Sequence, residues 1–452
     1  MGSPPKKYFG TDGIRGESGG PVINPPFAYR LGVAVGKQLH REGHKTGSIC
    51  IGMDSRSSGP ALRDHIAAGL HSQGFNPAGL GILPTPAVSL HTLSTDAVLG
   101  VVLTASHNPA SDNGFKFFQA NGRKVTPDWE TKVESLLDGT EAPETITIPG
   151  IQDQHAPALQ QFIDHLPQED PRLDGLTIAL DTAAGATCQT TPEVLRRLGA
   201  QLHQIGAEPD GQQINNGIGS EHPGKIIEAV QSGQAHIGLA HDGDGDRLII
   251  CDEEAKILSG DEVLGILAIN RIRQNQLPQN TLVGTILCNA GLALTLKQHG
   301  GHLLRTDVGD RNVTTRMGEE GLTLGGEPSG HFVLADQLPT GCGLHAAIEL
   351  LQIRQSSGQP LSELRKQVTL FPQATLNLRV ADKPPLESLP AFQYGLEEIN
   401  TRLGDKGRTL VRYSGTEPKV RLLAEAEGQQ AVQDSLSALE KLTQEHLPVK
   451  TP

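Results

Sequence analysis

Three aspartates at alternate positions, Asp242, Asp244 and Asp246, end an apolar run in residues 237–252 (IGLAHDGDGDRLIICD). In an extended loop that spacing lets three carboxylates converge on one hard cation, and Gly243 and Gly245 free the backbone to wrap it. Without a cation, carboxylates packed this closely repel one another. The pattern reads as a site for one Mg²⁺ per chain, with waters and a phosphate oxygen completing the shell. An exposed acidic turn is the plain alternative. A calcium-binding EF-hand loop is a decoy: Glu253 falls at its twelfth position, but the sixth is Arg247 rather than Gly and the flanks read as strands.

Residues 101–116 (VVLTASHNPASDNGFK) read as a strand running into a loop with Ser106, His107 and Asn108, ended by Pro109. Ser106 is a candidate nucleophile presented at a strand end; an ordinary Ser-Asn-Pro turn is the alternative. Asp112-Asn113-Gly114 is a turn signal that would bring Lys116 back to the loop. There its ammonium could stabilise phosphoryl charge or move a proton.

Two further stretches carry hydrogen-bonding chemistry. In residues 325–331 (GGEPSGH), Glu327 and Ser329 could bind sugar hydroxyls, and His331 could bind substrate or move a proton; a bare hairpin turn is the alternative. In residues 408–421 (RTLVRYSGTEPKVR), four cations (Arg408, Arg412, Lys419, Arg421) flank Ser414-Gly415-Thr416. Hydroxyls, free N–H groups around a glycine and an arginine fork make a phosphate cradle, against a solvated basic edge. Residues 219–225 fit the spacing of a nucleotide-binding P-loop, but Ile226 stands where a hydroxyl is needed and no strand precedes. His40-Arg41-Glu42-Gly43-His44 misplaces the glutamate of a zinc helix.

The elements that must hold these loops alternate between strand and helix. Strands are predicted at 48–53, 97–103, 176–180, 281–287 and 302–305, and helices at 59–74, 192–198, 292–299 and 311–318. Such alternation implies parallel or mixed α/β sheets with functional loops beyond strand carboxyl ends. Polar stretches at 139–149, 252–256 and 355–372 divide the chain into four blocks: 1–148 with the serine loop, 149–252 with the metal loop, 253–368 with the sugar-reading loop, and 369–452 with the phosphate cradle. The last holds strands at 409–413 and 420–426 and a helix near 430–445.

Composition narrows the partners. The 452 residues carry 38 Lys plus Arg against 51 Asp plus Glu, a net charge of −13, which disfavours nonspecific nucleic-acid binding. Gly 53 and Pro 30 together exceed the usual share, so turns and close backbone approaches abound. No uninterrupted apolar run reaches spanning length, so no membrane is expected. The first residues lack a signal peptide's apolar core, and Lys6 stands where a myristoylation signal needs Ser or Thr. Five scattered cysteines with no CxxC spacing suggest inert thiols in a reducing cytoplasm.

A serine, a divalent cation, a hydroxyl-reading loop and a remote phosphate cradle suit a mutase better than a phosphatase, which has no obvious need for two phosphate sites. TASHNP (104–109), DGDGDR (242–247), GEPSGH (326–331) and RYSGTEP (412–418) occur in the order of the α-D-phosphohexomutases, and the chain resembles that family across all four blocks. FGTDGIRG (9–16), NPASDNGFKFF (108–118) and VGDRNV (308–313) resemble the members that act on glucosamine phosphate. Asn312, Pro328 and Cys342 depart from that subgroup, and members acting on mannose or glucose phosphates are the close rival. A noncatalytic calcium-binding protein is a distant one.

The resemblance implies an α/β protein: three related mixed-sheet α/β domains plus a smaller C-terminal α+β domain of TATA-binding-protein-like topology, around a central cleft. It implies a phosphoryl group on Ser106, bridged by Mg²⁺ to Asp242, Asp244 and Asp246. A hexosamine phosphate would pass through a 1,6-bisphosphate that serves as intermediate and activator. Arg412, Ser414, Gly415, Thr416 and Arg421 would grip the phosphate that is not reacting. Glu327, Ser329, Gly309 and Asp310 would contact the sugar. Arg15, Lys116, His331 and Arg247 would surround the reacting group. The chain would work as a monomer or homodimer.

Overall fold

The computed structural model describes residues 6–167, 170–414 and 417–450. Four sheets follow one another along the chain. The first has six strands in the order Ile14–Glu17, Asp112–Gln119, Ala97–Leu103, Ser48–Met53, Asn76–Ile82 and Gln152–Asp153. Ser48–Met53 is parallel to both neighbours, whereas Asp112–Gln119 returns antiparallel beside Ala97–Leu103. The apolar sequence AVLGVVL is buried along nearly its whole length, as a central strand covered on both faces must be.

The second sheet runs Ile257–Leu258, Ile249–Cys251, Ile237–Ala240, Thr177–Asp181, Gln201–Ile205. The third runs His302–Thr306, Thr281–Thr285, Leu324–Gly326, Phe332–Leu334. The fourth is wholly antiparallel: Gln373–Arg379, Lys419–Ala426, Gly407–Tyr413. Two long helices open with side-chain caps. Asn24 accepts from Phe27 N–H ahead of Pro25–Arg41, and Ser259 and Glu262 form a reciprocal capping box on Gly260–Arg273.

Several expectations shift. Asp112-Asn113-Gly114 is not a turn: it opens the strand Asp112–Gln119, because pairing with Ile14–Glu17 overrides its turn chemistry. The reversal lies earlier, where Asp112 N–H reaches Pro109 C=O at 3.0 Å, and Lys116 still returns opposite Val102. The stretch 252–256 is a hairpin inside the second sheet, closed by Asp252 N–H to Lys256 C=O, so that sheet passes the predicted limit at 252. Residues 355–360 are not a free linker. The helix Gly343–Ser357 takes in their first three residues, and Glu253 accepts the N–H groups of Leu361 and Ser362 beyond. The strand Gln373–Arg379 and the helix Pro390–Leu403 escaped the sequence reading.

One apolar core runs without a break through the first three blocks, from Leu80 and Val88 through Leu180 and Leu239 to Leu264 and Leu344. The last block has its own, around Phe392, Val420, Leu422 and Leu439. It docks on the third through Arg408 and the fully buried Glu425. Arg408 donates to Cys288 C=O, and Glu425 accepts Ala290 N–H. The five cysteines are buried and free, as expected.

Candidate active site

The loop after Ala97–Leu103 puts Ser106 in the left-handed region, φ 54°, at a cost of roughly 1–2 kcal/mol for a residue with a Cβ. Its surroundings impose that shape. Thr104 Oγ1 accepts Ser106 N–H at 2.8 Å and donates to Asp54 at 2.6 Å. Arg56, 1% exposed, donates to Asp54 and to the carbonyls of Ser106 (3.0 Å), Asn108 (2.8 Å), Asp112 (2.8 Å) and Pro109. Asn215 adds bonds to the Ser106 and Asn108 carbonyls. The sequence reading missed Asp54, Arg56 and Asn215; an Asp-x-Arg directly after the strand 48–53 was the available signal.

Ser106 Oγ donates to Asp242 Oδ2 at 2.5 Å, so the serine and the acidic loop meet as expected. Asp242, Asp244 and Asp246 are buried, and one oxygen from each lies within 4.8 Å of the others. Gly185 permits this packing, since a Cβ there would stand 2.3 Å from Gly243 C=O. Asp244 Oδ1 and Asp246 Oδ1 are buried without a hydrogen-bond partner. Buried carboxylate oxygens left open beside a serine hydroxyl fit a hard divalent cation. Burial, then Asp246 and Asp244, push the Asp242 carboxyl far above its ordinary range.

Lys116 offsets much of this negative charge. Its ammonium, 2% exposed, bonds Asp244 Oδ2 at 2.7 Å and Asp246 Oδ2 at 2.9 Å, and lies 3.1 Å from Asp12. Burial opposes the charge on Lys116, but these carboxylates outweigh it and raise its pKa. Asp12 also pairs with Arg15 and Lys124, Lys124 with Asp310, and His331 lies 3.5 Å from Asp310 and 3.6 Å from Asp246. Charges therefore alternate in sign across three blocks. Burial alone would lower the His331 pKa; Asp246 and Asp310 raise it instead. Asp12 and Lys124 were not singled out from sequence.

A cleft of about 480 Å³ opens on this cluster, lined by Tyr8, Arg15, Ser106, His107, Asp246, Arg247, Gly309, Asp310, Glu327, Ser329 and His331 among others. His107 is pushed down to about 4, by burial first and then by Arg247 and Arg15, so it is neutral near pH 7. Arg247 bonds Glu221 at 3.0 Å. Glu327 Oε1 accepts Gly309 N–H at 3.0 Å, and its hairpin joins Leu324–Gly326 to Phe332–Leu334.

None of Arg412, Ser414 and Arg421 lines this cleft. They cluster together: Arg412 faces Arg421 across strands, and Arg421 donates to Ser414 Oγ at 3.4 Å. Gly415 and Thr416 lie outside the described residues. Two expected cations are committed elsewhere. Arg408 pairs with buried Glu425 at the junction with the third block, and Lys419 bonds Glu417.

Family models match in order: phosphoglucomutase/phosphomannomutase alpha/beta/alpha domain I over residues 6–144, domain II over 160–256, domain III over 259–371 and the C-terminal domain over 376–441. A phosphoglucosamine mutase of Syntrophotalea carbinolica is 37% identical over 455 residues, 99% of each chain. Another, of Nitratidesulfovibrio vulgaris, is 40% identical over 452 residues, 98% of this chain and 99% of that one. A crystal structure of a phosphoglucomutase/phosphomannomutase family protein from Burkholderia thailandensis superposes with a TM-score of 0.81 at 24% identity, covering 97% of this chain and 98% of that one. One of Aspergillus fumigatus N-acetylphosphoglucosamine mutase, with GlcNAc-6P and magnesium, gives 0.62 at 15% identity, covering 97% and 96%. With every model matched in sequence order and relatives this similar end to end, the chain belongs to the phosphoglucomutase/phosphomannomutase family, the α-D-phosphohexomutases.

Proposed function

We propose that this isomerase interconverts glucosamine 6-phosphate and glucosamine 1-phosphate by two phosphoryl transfers at Ser106. The observation that carries the reading is the Ser106 hydroxyl, held in a strained turn on the cleft wall, 2.5 Å from Asp242. The names of the relatives point to the amino sugar.

In the first transfer a sugar hydroxyl oxygen forms a bond to the phosphorus on phosphorylated Ser106. The phosphorus–Oγ bond breaks, and the hydroxyl proton passes to a basic group of the cleft wall. The resulting 1,6-bisphosphate reorients, and its other phosphoryl group returns to Ser106 by the reverse step. Asp242, Asp244, Asp246 and the serine's phosphate would hold Mg²⁺, which would neutralise charge on the transferring group. Arg15, Arg247 and His331 line the cleft where phosphoryl oxygens develop charge, while Lys116 holds the acidic loop in place. Glu327, Ser329, Gly309 and Asp310 read the sugar. Arg412, Ser414, Gly415, Thr416 and Arg421 take the distal phosphate once the last block approaches the cleft.

We place the protein in the cytoplasm, a reading supported by five free buried cysteines and by the lack, among the described residues, of a helix long and apolar enough to cross a membrane. The test compares kcat/KM for glucosamine 6-phosphate, mannose 1-phosphate and glucose 1-phosphate, and follows labelled phosphate from the bisphosphate onto the Ser106 peptide. Glucosamine 6-phosphate should be preferred and Ser106 labelled. A preference of about tenfold for another sugar defeats the substrate assignment.

A further inference from the structure

Two adjacent residues of opposite charge, Asp310 and Arg311, begin the helix Asp310–Glu320 beside the cleft. Each meets an opposite charge from the first block. Asp310 Oδ2 pairs with Lys124 Nζ. The Arg311 guanidinium grips Glu130 end-on, Nη1 to Oε2 at 2.8 Å and Nη2 to Oε1. All four side chains are nearly dry: 11% exposed for Asp310, 13% for Arg311, 7% for Lys124 and 0% for Glu130. Lys6 also pairs with Glu130 and Asp12 with Lys124. Arg123 reaches the same helix at Thr314 C=O, 3.4 Å.

Dry ion pairs with alternating sign permit one register only. Sliding the helix until Asp310 met Glu130, or Arg311 met Lys124, would press like charges together away from water. What they register is the turn just before. Val308 and Gly309 line the cleft, and Gly309 N–H holds Glu327, the residue assigned to the sugar.

Resting on the mutase reading above, we propose that Glu130 and Lys124 are positioning residues. Through Arg311 and Asp310 they set the height of the sugar-reading edge, residues 308–310 with Glu327, over Ser106. Choice among hexose phosphates then depends on Glu130, Arg311 and Lys124, none of which lines the cleft.

Two variants test the clamp: Glu130→Gln keeps the shape and removes the charge, and Arg311→Lys keeps the charge and removes the fork. Each is assayed for KM and kcat with glucosamine 6-phosphate and glucose 6-phosphate, and for labelling of Ser106 from the bisphosphate. Each should raise KM for glucosamine 6-phosphate about tenfold, hold kcat within about threefold and narrow the preference over glucose 6-phosphate. Ser106 labelling should match wild type. Combining Glu130→Gln with Arg311→Lys should be no worse than the poorer single change, since the pair acts as a unit.

Unchanged KM and preference in folded variants overturns the proposal, as does a fall in kcat alone or a simple sum of the two effects. If Glu130→Gln does not fold, Arg311→Lys decides by the same readouts. Absence of label from wild-type Ser106 would instead defeat the parent mutase reading, and it is seen in the wild-type sample alone.

Discussion

Lys116 and Asp244 form a fully buried ion pair, Nζ to Oδ2 at 2.7 Å, inside the acidic cluster. The ammonium also holds Asp246, so it is what makes three crowded carboxylates tolerable when no metal is bound. Breaking a buried pair by removing one partner costs about 3–5 kcal/mol. Lys116→Met should therefore destabilise the chelated protein by that order, and a divalent cation should recover part of the loss by binding the folded state. Thermal unfolding with chelator and with Mg²⁺ measures both. An equal loss in the two conditions would mean that Lys116 and the cation do not share a site.

Ser106→Ala should abolish isomerisation, lowering kcat at least about a thousandfold, because no hydroxyl remains to carry the phosphoryl group. The loss of the bond to Asp242 should cost stability only modestly, about 1 kcal/mol. Phosphorus NMR of the sugar phosphates and mass spectrometry of the Ser106 peptide give the two readouts. Normal turnover by this variant would end the covalent mechanism.

Arg412 and Arg421 face each other directly across two antiparallel strands, a like-charge pairing that is unfavourable unless an anion lies between. Burial and then Arg421 lower the Arg412 pKa in keeping with that crowding. Arg412→Ala should raise KM for the sugar phosphate by about 1.5–3 kcal/mol of lost binding, with a smaller change in kcat. Steady-state kinetics decides; an unchanged KM would remove the last block from substrate binding.

His345 is buried and neutral, its pKa pushed down to about 3 by burial first and by His165 second. An unfolded chain titrates this group near 6.5. Between these values the unfolded state binds the extra proton, so stability falls as pH drops through the window. His345→Leu removes that contribution. Its Tm should decline less than the wild type's between about pH 7 and about pH 5, and parallel declines would refute the assignment.

The acidic loop and the serine loop were legible because their chemistry is local. Alternate aspartates separated by glycines, and a strand running into Ser-His-Asn-Pro, declare themselves within a few residues. The central strands were equally plain: 48–53 and 97–103 stand where their apolar runs placed them. Asp112-Asn113-Gly114 was misread because turn propensity is also local, and only the neighbouring strand Ile14–Glu17 overrules it. Arg408 stands in the same basic stretch as Arg412, and a cluster of cations in sequence does not say which guanidinium meets Glu425.

By itself, then, the sequence determined the kinds of chemistry, the order of the loops and the strands that carry them, since each depends on residue type and short spacing. Only the tertiary structure decided which charges meet. Arg56 reaching the serine loop, Lys124 joining Asp12 to Asp310, and Glu130 gripping Arg311 all pair residues far apart in the chain. The physical reason is that a buried ion pair is specified by where two separate elements come together, and nothing in the residues beside either partner records that distance.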